Sequence, residues 1–522
     1  MFANPGTTEM LVVDALDKVA VDGKTMRSVL CLHETVCSGA ADGYGRMTGS
    51  PACTLLHLGV GLANATANLH NARRACTPVV NLVGDMATWH VDSDPLLASD
   101  IDSLASFSSR SVLRAETAGD AARTTVEALL AVRDYRCGES RVATLALPHD
   151  VQRDAAVLDD EESKKVSLLL ESCRTSASDA EPSLFEQSIA VHNERFGGND
   201  AIPKHVSMCA TALRKSKSAL LVSGTGLSDE KALAALSDVQ RETGCSIVVE
   251  NAFARVERGE GRPDWIRAPY FPSDAQKFFS KFESIVLCGA RAPVAMFGYE
   301  DGVSKLLPEQ GVLEIDAMDV PGAICFLRDK VLGDATQNEK KSSPRKSPAA
   351  ASCSGRLNAG KLCQILAKTQ PARAIVVDES LTSGTAYWDC SKHCPPFSHL
   401  TLTGGSIGIG LPLAVGCAVA CPDRRVIAFQ ADGSGLYSTP ALWTMAAEGL
   451  NVTVVVCANK TYQILKVEQQ KQRLPTASPN AKKLTSIGNV DWVSIAKGYG
   501  MDAVAVTTAE QLEQALLTSF RT

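Results

Sequence analysis

The sequence predicts an α/β protein of three tandem doubly wound parallel-sheet domains. Apolar runs of strand length alternate with longer helical patterns along almost the whole chain, as in successive βαβ units. Two polar stretches interrupt the alternation, and 522 residues exceed what one hydrophobic core organises.

Strands are expected at Ser28 to Leu32, Ala52 to Leu58, Pro78 to Val83 and Val142 to Leu147. Met1 to Gly6 reads as the end of a strand running into a turn with no preceding helix, so a further N-terminal segment, such as a targeting peptide, is expected before it. The Ser-, Glu- and Asp-rich stretch Asp159 to Glu181 serves as a connection. A second unit follows, with strands Ser218 to Ser223, Ser246 to Val249 and Ser284 to Leu287, and a turn at Gly224-Thr225-Gly226. Gly333 to Arg356, rich in Ser, Pro and Lys, cannot bury enough apolar surface to order itself and reads as a linker. A third unit has strands Ala374 to Val377, Val426 to Gln430 and Val452 to Cys457. The expected division is 1–165, a central domain at 185–335, a linker at 336–356, and 357–522.

The composition, 45% apolar and 21% charged, is that of a soluble globular protein. Lys and Arg less Asp and Glu, 52 − 58 = −6, leaves no basic field, which speaks against nucleic acid or an anionic membrane as partner. No apolar run reaches the roughly 18 residues of a membrane span. The 17 cysteines are scattered singly without a Cys-x-x-Cys pair, as in a reduced, cytoplasmic protein, or an organellar one if a targeting segment precedes.

The strongest chemical signal is in the last unit. Strand Val426 to Gln430, a turn at Asp432 to Gly435, a helix from Ala441 to Glu448 and strand Val452 to Cys457 form one βαβ crossover. Asp432 and Asn459 then fall just past the carboxyl ends of parallel strands, where open α/β sheets bind ligands. An Asp carboxylate, an Asn amide oxygen and a backbone carbonyl are hard donors suited to Mg2+, which takes its other ligands from phosphate and water. Gly433 allows a diphosphate to approach the backbone, and Ser434 offers a hydroxyl. Asp-Gly alone is a frequent turn dipeptide; the spacing 459 − 432 = 27, filled by strand, turn, helix and strand, singles this one out.

The segment from Ala431 to Tyr462 resembles the thiamine diphosphate signature of the acetolactate synthase, pyruvate decarboxylase and benzoylformate decarboxylase group. The local likeness is greatest to benzoylformate decarboxylase, and the domain order is acetolactate synthase-like. Ala431 and Ala458 stand where the signature has Gly and Asn. The resemblance implies the thiamine diphosphate-binding fold, with thiamine diphosphate and Mg2+ as cofactors, Asp432, Asn459 and the Thr461 carbonyl as metal ligands, and Gly433, Ser434 and Tyr462 beside the cofactor.

Three further motifs carry the likeness. Leu32-His33-Glu34-Thr35, followed by Ala41-Asp42-Gly43-Tyr44, puts Glu34 at a helix start, where an acid also suits the helix dipole. The resemblance implies that Glu34 bonds the aminopyrimidine N1' and promotes ylide formation at C2. His57 ends a strand before a Gly-containing turn that opens a helix at Asn64; a His there can simply cap a helix, and the resemblance implies proton transfer at the reacting centre. Thr7, in Asn4-Pro5-Gly6-Thr7, matches a substrate-binding Ser. Gly404 to Pro412 is a glycine-rich turn entering a helix, a weak anion-binding signal alone. By resemblance Ile407 wedges between the cofactor rings, the Gly405 carbonyl accepts from the 4'-amino group, and Ser406 lies with them.

Departures bear on the reaction. Ala292 to Tyr299 lacks the second catalytic His of benzoylformate decarboxylase, and Asp85 stands where acetolactate synthases have Gln. His90 and Asp92 follow Asp85 and offer polar groups to a pocket or to solvent. The resemblance implies attack of the C2 ylide on a small 2-oxo acid, loss of CO2, and an enamine that is protonated or joined to a second carbonyl. The alternatives are acetolactate synthase proper and a catalytically silent, cofactor-binding regulatory subunit; the retained Glu34 argues against silence. A homodimer or homotetramer is implied, one subunit's pyrimidine domain facing another's diphosphate domain. No flavin-specific feature stands out in the central unit.

Overall fold

The computed structural model describes residues 1–18, 20–21, 24–133, 140–154, 156, 160–175, 201–299, 302–315, 319–333, 353–475 and 478–521. Its first sheet holds β1 (Phe2–Asn4), β2 (Val29–Leu30), β3 (Ala52–Leu56), β4 (Val79–Asp85), β5 (Ser111–Arg114) and β6 (Val142–Pro148). They run in the order β2-β1-β3-β4-β6-β5, all parallel. β6 is buried at every residue, which is why its sequence is apolar apart from Thr144.

The second segment contributes β7 (Ser218–Val222), β8 (Ser246–Val249), β9 (Val256–Arg258), β10 (Trp265–Arg267), β11 (Ser284–Cys288) and β12 (Val312–Ile315). The last contributes β13 (Ile375–Glu379), β14 (Phe397–Thr401), β15 (Val426–Ala431) and β16 (Val452–Cys457). The central sheet is ordered β10-β8-β7-β11-β12, and the last β9-β14-β13-β15-β16. β9 therefore leaves its neighbours in sequence and pairs antiparallel with β14, tying the central segment to the last sheet. All other pairs in these two sheets are parallel.

Several local expectations are corrected. β2 is shorter than Ser28 to Leu32, because the extended His33 (φ −161°) already caps helix α1 (Glu34–Thr48). Helix α2 (Leu58–Ala75) begins at Leu58 rather than Asn64. Gly59 and Gly61 lie inside its first turns: a Cβ on Gly59 would fall 1.8 Å from Ser99 Oγ, and one on Gly61 3.1 Å from Glu34 Oε1. Asp432 to Gly435 forms one helical turn instead of an open one. Within the expected polar connection, Asp160–Thr175 is helical, with a Glu161–Lys165 pair at 2.9 Å. Residues 176–200 and 334–352, which include most of the expected linker, lie outside the described residues.

Helix α1 packs on α3 (Gly410–Ala420), with Gly39 against Pro412. Asp42 and Arg46 form a buried ion pair at 2.6 Å, and Arg46 also donates to the carbonyls of Thr401 at 2.7 Å and Ala254 at 3.2 Å. One guanidinium thus links all three segments. Among the described residues no helix is long and apolar enough to cross a membrane, and the cysteines from Cys31 to Cys457 whose side chains are described are free thiols.

His399 in β14 is fully buried, its Nε2 3.3 Å from Asp378 Oδ2 and its Nδ1 3.2 Å from an Arg258 nitrogen. Burial pulls its pKa down from 6.5 to about 4. The unfolded chain therefore takes up this proton first on acidification. The stabilisation is complete above pH 6.5 and is lost as pH falls towards 4, on the order of 3 kcal/mol. Denaturant midpoints measured from pH 7.5 to 4.5 should fall accordingly, and His399→Gln should flatten that slope. An unchanged slope in the variant counts against His399 as its source.

Candidate functional site

Two clusters form at carboxyl ends of parallel strands. In the first sheet, β1 ends at Asn4, β2 leads into Glu34 and β3 into His57. Glu34 is only 6% exposed. Its Oε1 accepts from Asn4 Nδ2 at 3.1 Å and its Oε2 from Asn64 Nδ2 at 3.0 Å, while it sits in the first turn of α1 at the favourable end of the helix dipole. His57 Nδ1 lies 2.9 Å from Glu9 Oε2. A carboxylate accepts only, so in the neutral ring Nδ1 carries the proton and Nε2 keeps its lone pair.

Glu9 was not singled out from the sequence. It is fully buried, accepting from Gly6 N at 2.7 Å and from Thr8 Oγ1 at 2.6 Å. The available signal was an acid three residues after Gly6, placed to reach back to a free backbone N–H at the start of a helical turn. Thr7 is exposed at the start of that short turn, and the adjacent Thr8 is the hydroxyl near His57 Nδ1, at 3.4 Å. Asp85, at the end of β4, is paired with Arg114, which also bonds Asp102. Asp92 faces solvent and His90 is half-buried in the same short turn.

The second cluster lies where β15 and β16 end. Asp432 is 2% exposed. Its oxygens accept from the backbone N–H of Gly433 at 2.9 Å and of Lys460 at 2.6 Å, and among the described residues no Lys or Arg pairs with it. Burial pushes its carboxyl above the usual range. The chain turns left-handed at Lys460 (φ 61°), Asn459 Oδ1 accepts from Thr461 N at 3.0 Å, and the Thr461 carbonyl accepts from Gln463 N at 3.0 Å. Gly433 is fixed by contact: a Cβ there would lie 2.6 Å from the Tyr462 ring. The Ser434 hydroxyl turns inward to Gln430 at 2.7 Å. Ala431 has φ −76°, open to any residue, so it replaces a glycine without backbone strain.

The glycine-rich turn is held from the first domain. Asn71 of α2 accepts from Gly404 N at 3.0 Å and Ser406 N at 3.3 Å and donates to Ser406 O at 2.7 Å. Gly405 (φ 78°) is exposed with open space beside it, and Ile407 is half-buried. In the segment Ala292 to Tyr299, Tyr299 donates to Glu468 of α4 (Gln463–Lys471) at 3.2 Å.

Among the described residues, no hydrogen bond or ion pair joins the Glu34–His57 cluster to the Asp432 cluster. Nor does any group of three His, Cys, Asp or Glu residues form a metal site. The donors around Asp432 are instead a carboxylate, an amide oxygen and a carbonyl, the set a hard divalent cation takes alongside phosphate. A buried carboxylate with two N–H donors and no basic partner fits that cation.

Residues 1–105 match the family description "Thiamine pyrophosphate enzyme, N-terminal TPP binding domain", and residues 384–522 match "Thiamine pyrophosphate enzyme, C-terminal TPP binding domain". The chain is 37% identical, over 99% of its length and 93% of the relative, to a Mycobacterium tuberculosis protein named "Putative acetolactate synthase large subunit IlvX". It is 25% identical to benzoylformate decarboxylase of Pseudomonas aeruginosa, over 99% of this chain and 92% of that one. Among solved structures, a thiamine diphosphate-dependent 4-hydroxybenzoylformate decarboxylase of Rhodococcus jostii shares the fold with a TM-score of 0.80 at 22% identity, covering 100% of this chain and 94% of that one.

The fit around Glu9 is tight enough to test. A Cβ on Gly84 would lie 1.8 Å from Glu9 Oε1 and 2.7 Å from its carboxyl carbon. Gly84→Ala should therefore lower stability by about 1–3 kcal/mol in chemical denaturation. Wild-type stability in the variant would show that Glu9 is free to move.

Proposed function

The chain belongs to the thiamine pyrophosphate (thiamine diphosphate) enzymes, through its full-length likeness and two matched domains, and on that premise we propose that it is a Mg2+-dependent 2-oxo acid decarboxylase or carboligase, acetolactate synthase-like. One observation carries the reading: Glu34 and Asp432 are both buried at carboxyl ends of parallel strands, and neither has a basic partner among the described residues. Burying a carboxylate without a cation is costly, and these two each open a helical turn at a sheet edge, where open α/β sheets bind ligands.

Asp432, Asn459 and the Thr461 carbonyl would hold Mg2+, and Gly433 with Tyr462 would border the diphosphate. Ile407 and the Gly405 carbonyl would receive the rings. Bound thiamine diphosphate supplies a nucleophilic carbon and an electron sink for loss of CO2. Glu34, oriented by Asn4 and Asn64, is set to share a proton with a ring nitrogen. His57, its Nδ1 held by Glu9, presents Nε2 for a proton on the reacting atoms, with Thr8 beside it and Thr7 exposed on the same turn. The proposed division into pyrimidine (1–165), central (185–335) and diphosphate (357–522) domains assigns Glu34 and Asp432 to different ones.

The separation of the two clusters supports a homodimer or larger homo-oligomer in which each site draws on two copies. Leu30, Leu32 and Val60 are exposed beside the Glu34 cluster, and Tyr437 and Leu465 beside Asp432, apolar rims suited to such an interface.

Calorimetric titration of the full chain with thiamine diphosphate and Mg2+ should saturate, and Asp432→Ala should weaken binding at least about tenfold. Glu34→Gln should bind normally yet lose about 100-fold or more in CO2 release across benzoylformate, 4-hydroxybenzoylformate and pyruvate. A wild-type chain that takes up no cofactor sinks the reading; one that binds it but consumes no acid, with Glu34→Gln indistinguishable, is catalytically silent.

Mixing the two variants offers a separate check. In a mixed dimer one site carries both lesions and the other neither, so subunit exchange between inactive Glu34→Gln and Asp432→Ala should restore about a quarter of wild-type activity. No recovery after demonstrated exchange would mean that each site is built within one chain.

A further inference from the structure

At the carboxyl end of β13 lies a carboxylate that the proposed reaction leaves unused. Glu379 is 1% exposed. Its Oε1 accepts the Gly408 N–H at 2.7 Å; its Oε2 accepts the Gly410 N–H at 2.8 Å and Gln430 Nε2 at 2.9 Å. Among the described residues no Lys or Arg is paired with it, and burial pushes its carboxyl up. Three aimed N–H groups are what keep a buried acid tolerable there.

The partners matter more than the number. Gly408 and Gly410 flank the end of the glycine-rich turn, and the Gly408 N–H belongs to the peptide that follows Ile407. Gly408 has φ 98°, and a Cβ on it would lie 2.5 Å from Tyr437 Cβ, so that peptide has little freedom. Gln430, the penultimate residue of β15, directs the same amide nitrogen to Ser434 Oγ at 2.7 Å, inside the helical turn that Asp432 opens. A Cβ on Gly410 would meet Gln430 Oε1 at 2.2 Å, so the start of α3 is pressed onto this amide. Ser434 is thereby part of an internal chain of contacts running Gly408, Glu379, Gln430, Ser434.

We propose that Glu379 is a positioning residue: through the Gly408 and Gly410 amides on one side and Gln430 and Ser434 on the other, it holds Ile407 and the Asp432 turn in one fixed register. The ring-receiving and phosphate-receiving parts of the site are then set relative to each other before anything binds. The inference rests on the cofactor reading of Asp432 and Ile407, and it concerns only how this chain arranges them. Gln at 379 keeps one acceptor oxygen but turns an NH2 towards a backbone N–H, so it breaks half of the clamp. Ala removes both acceptors.

Glu379→Ala and Glu379→Gln are tested in the full-length chain. Hydrogen exchange without cofactor should show the Gly408 and Gly410 amides exchanging at least about tenfold faster in the Ala variant while the central sheet keeps its protection. Thiamine diphosphate with Mg2+ should bind about tenfold more weakly to the Ala variant, with Gln recovering part of the loss. At saturating cofactor, CO2 release by the Gln variant should fall in kcat with KM within about twofold, the mark of misplaced rather than missing groups. Unchanged exchange at 408 and 410 overturns the proposal. So does faster exchange with wild-type cofactor affinity and turnover, which leaves Glu379 purely structural. A wild-type chain that takes up no cofactor overturns this inference and the proposed function together, whereas normal wild-type binding with unaffected variants overturns this inference alone.

Discussion

Helices α1 and α3 meet with their backbones almost in contact, and the arrangement of everything else depends on it. A Cβ on Gly43 would lie 2.2 Å from the Leu413 carbonyl oxygen, and one on Gly416 1.9 Å from that of Ala40. No side chain intervenes, so the first and last sheets are held at a separation set by the backbone itself. Atoms packed at this density have no room to slide. The Asp42–Arg46 pair then reaches beyond the helix contact to the Thr401 and Ala254 carbonyls, and Arg255 returns to the Met47 carbonyl at 2.9 Å. These bonds bring β9 of the central segment onto the last sheet. The α1 that makes this contact begins at Glu34, and the α3 that receives it is entered from the glycine-rich turn, so the interdomain contact also fixes where both candidate groups start.

Charge burial is the second recurring constraint. Glu9, Glu34, Glu379 and Asp432 are all withdrawn from water, and each is served by N–H or hydroxyl donors instead of an arginine or lysine. Asp42 is the contrast: inside the domain contact it takes a full guanidinium. Asp42, which fixes the domain contact, is neutralised by a guanidinium, whereas Glu34 and Asp432 in the candidate site and Glu379 behind the glycine-rich turn are served by dipoles alone. The charge of Glu9 is directed at His57 Nδ1 and so decides which nitrogen of that ring remains basic.

Much of the architecture was legible because buried parallel strands leave mainly apolar runs, as in β6 and β15, and because turn residues follow them closely. The ends of elements were less legible. Glycines in the run after His57 read as a turn, yet Gly59 and Gly61 are helical and are glycine because Ser99 and Glu34 stand where side chains would go. Nothing local announces such a neighbour. The same reason hid Glu9 and Glu379: their partners, His57 and the amides of Gly408 and Gly410, lie 48 and about 30 residues away in sequence. Asp432 and Glu34 were easier, since the strand pattern alone carries them to sheet ends. Ser434 was legible as a hydroxyl near the metal segment but not in its direction, which Gln430 determines.

What this chain's own residues bring to the proposed reaction is the placement of proton-carrying groups. The segment Ala292 to Tyr299 offers no histidine; its Tyr299 hydroxyl donates to Glu468, and Met296 and Phe297 are exposed beside it. His57 is the histidine that the first cluster presents. Its Nδ1 is committed to Glu9, so only Nε2 can accept and return a proton, one at a time. The Glu9–His57 contact therefore ties the direction of proton exchange at this cluster to the turn that begins at Gly6, whose N–H the same Glu9 oxygen accepts.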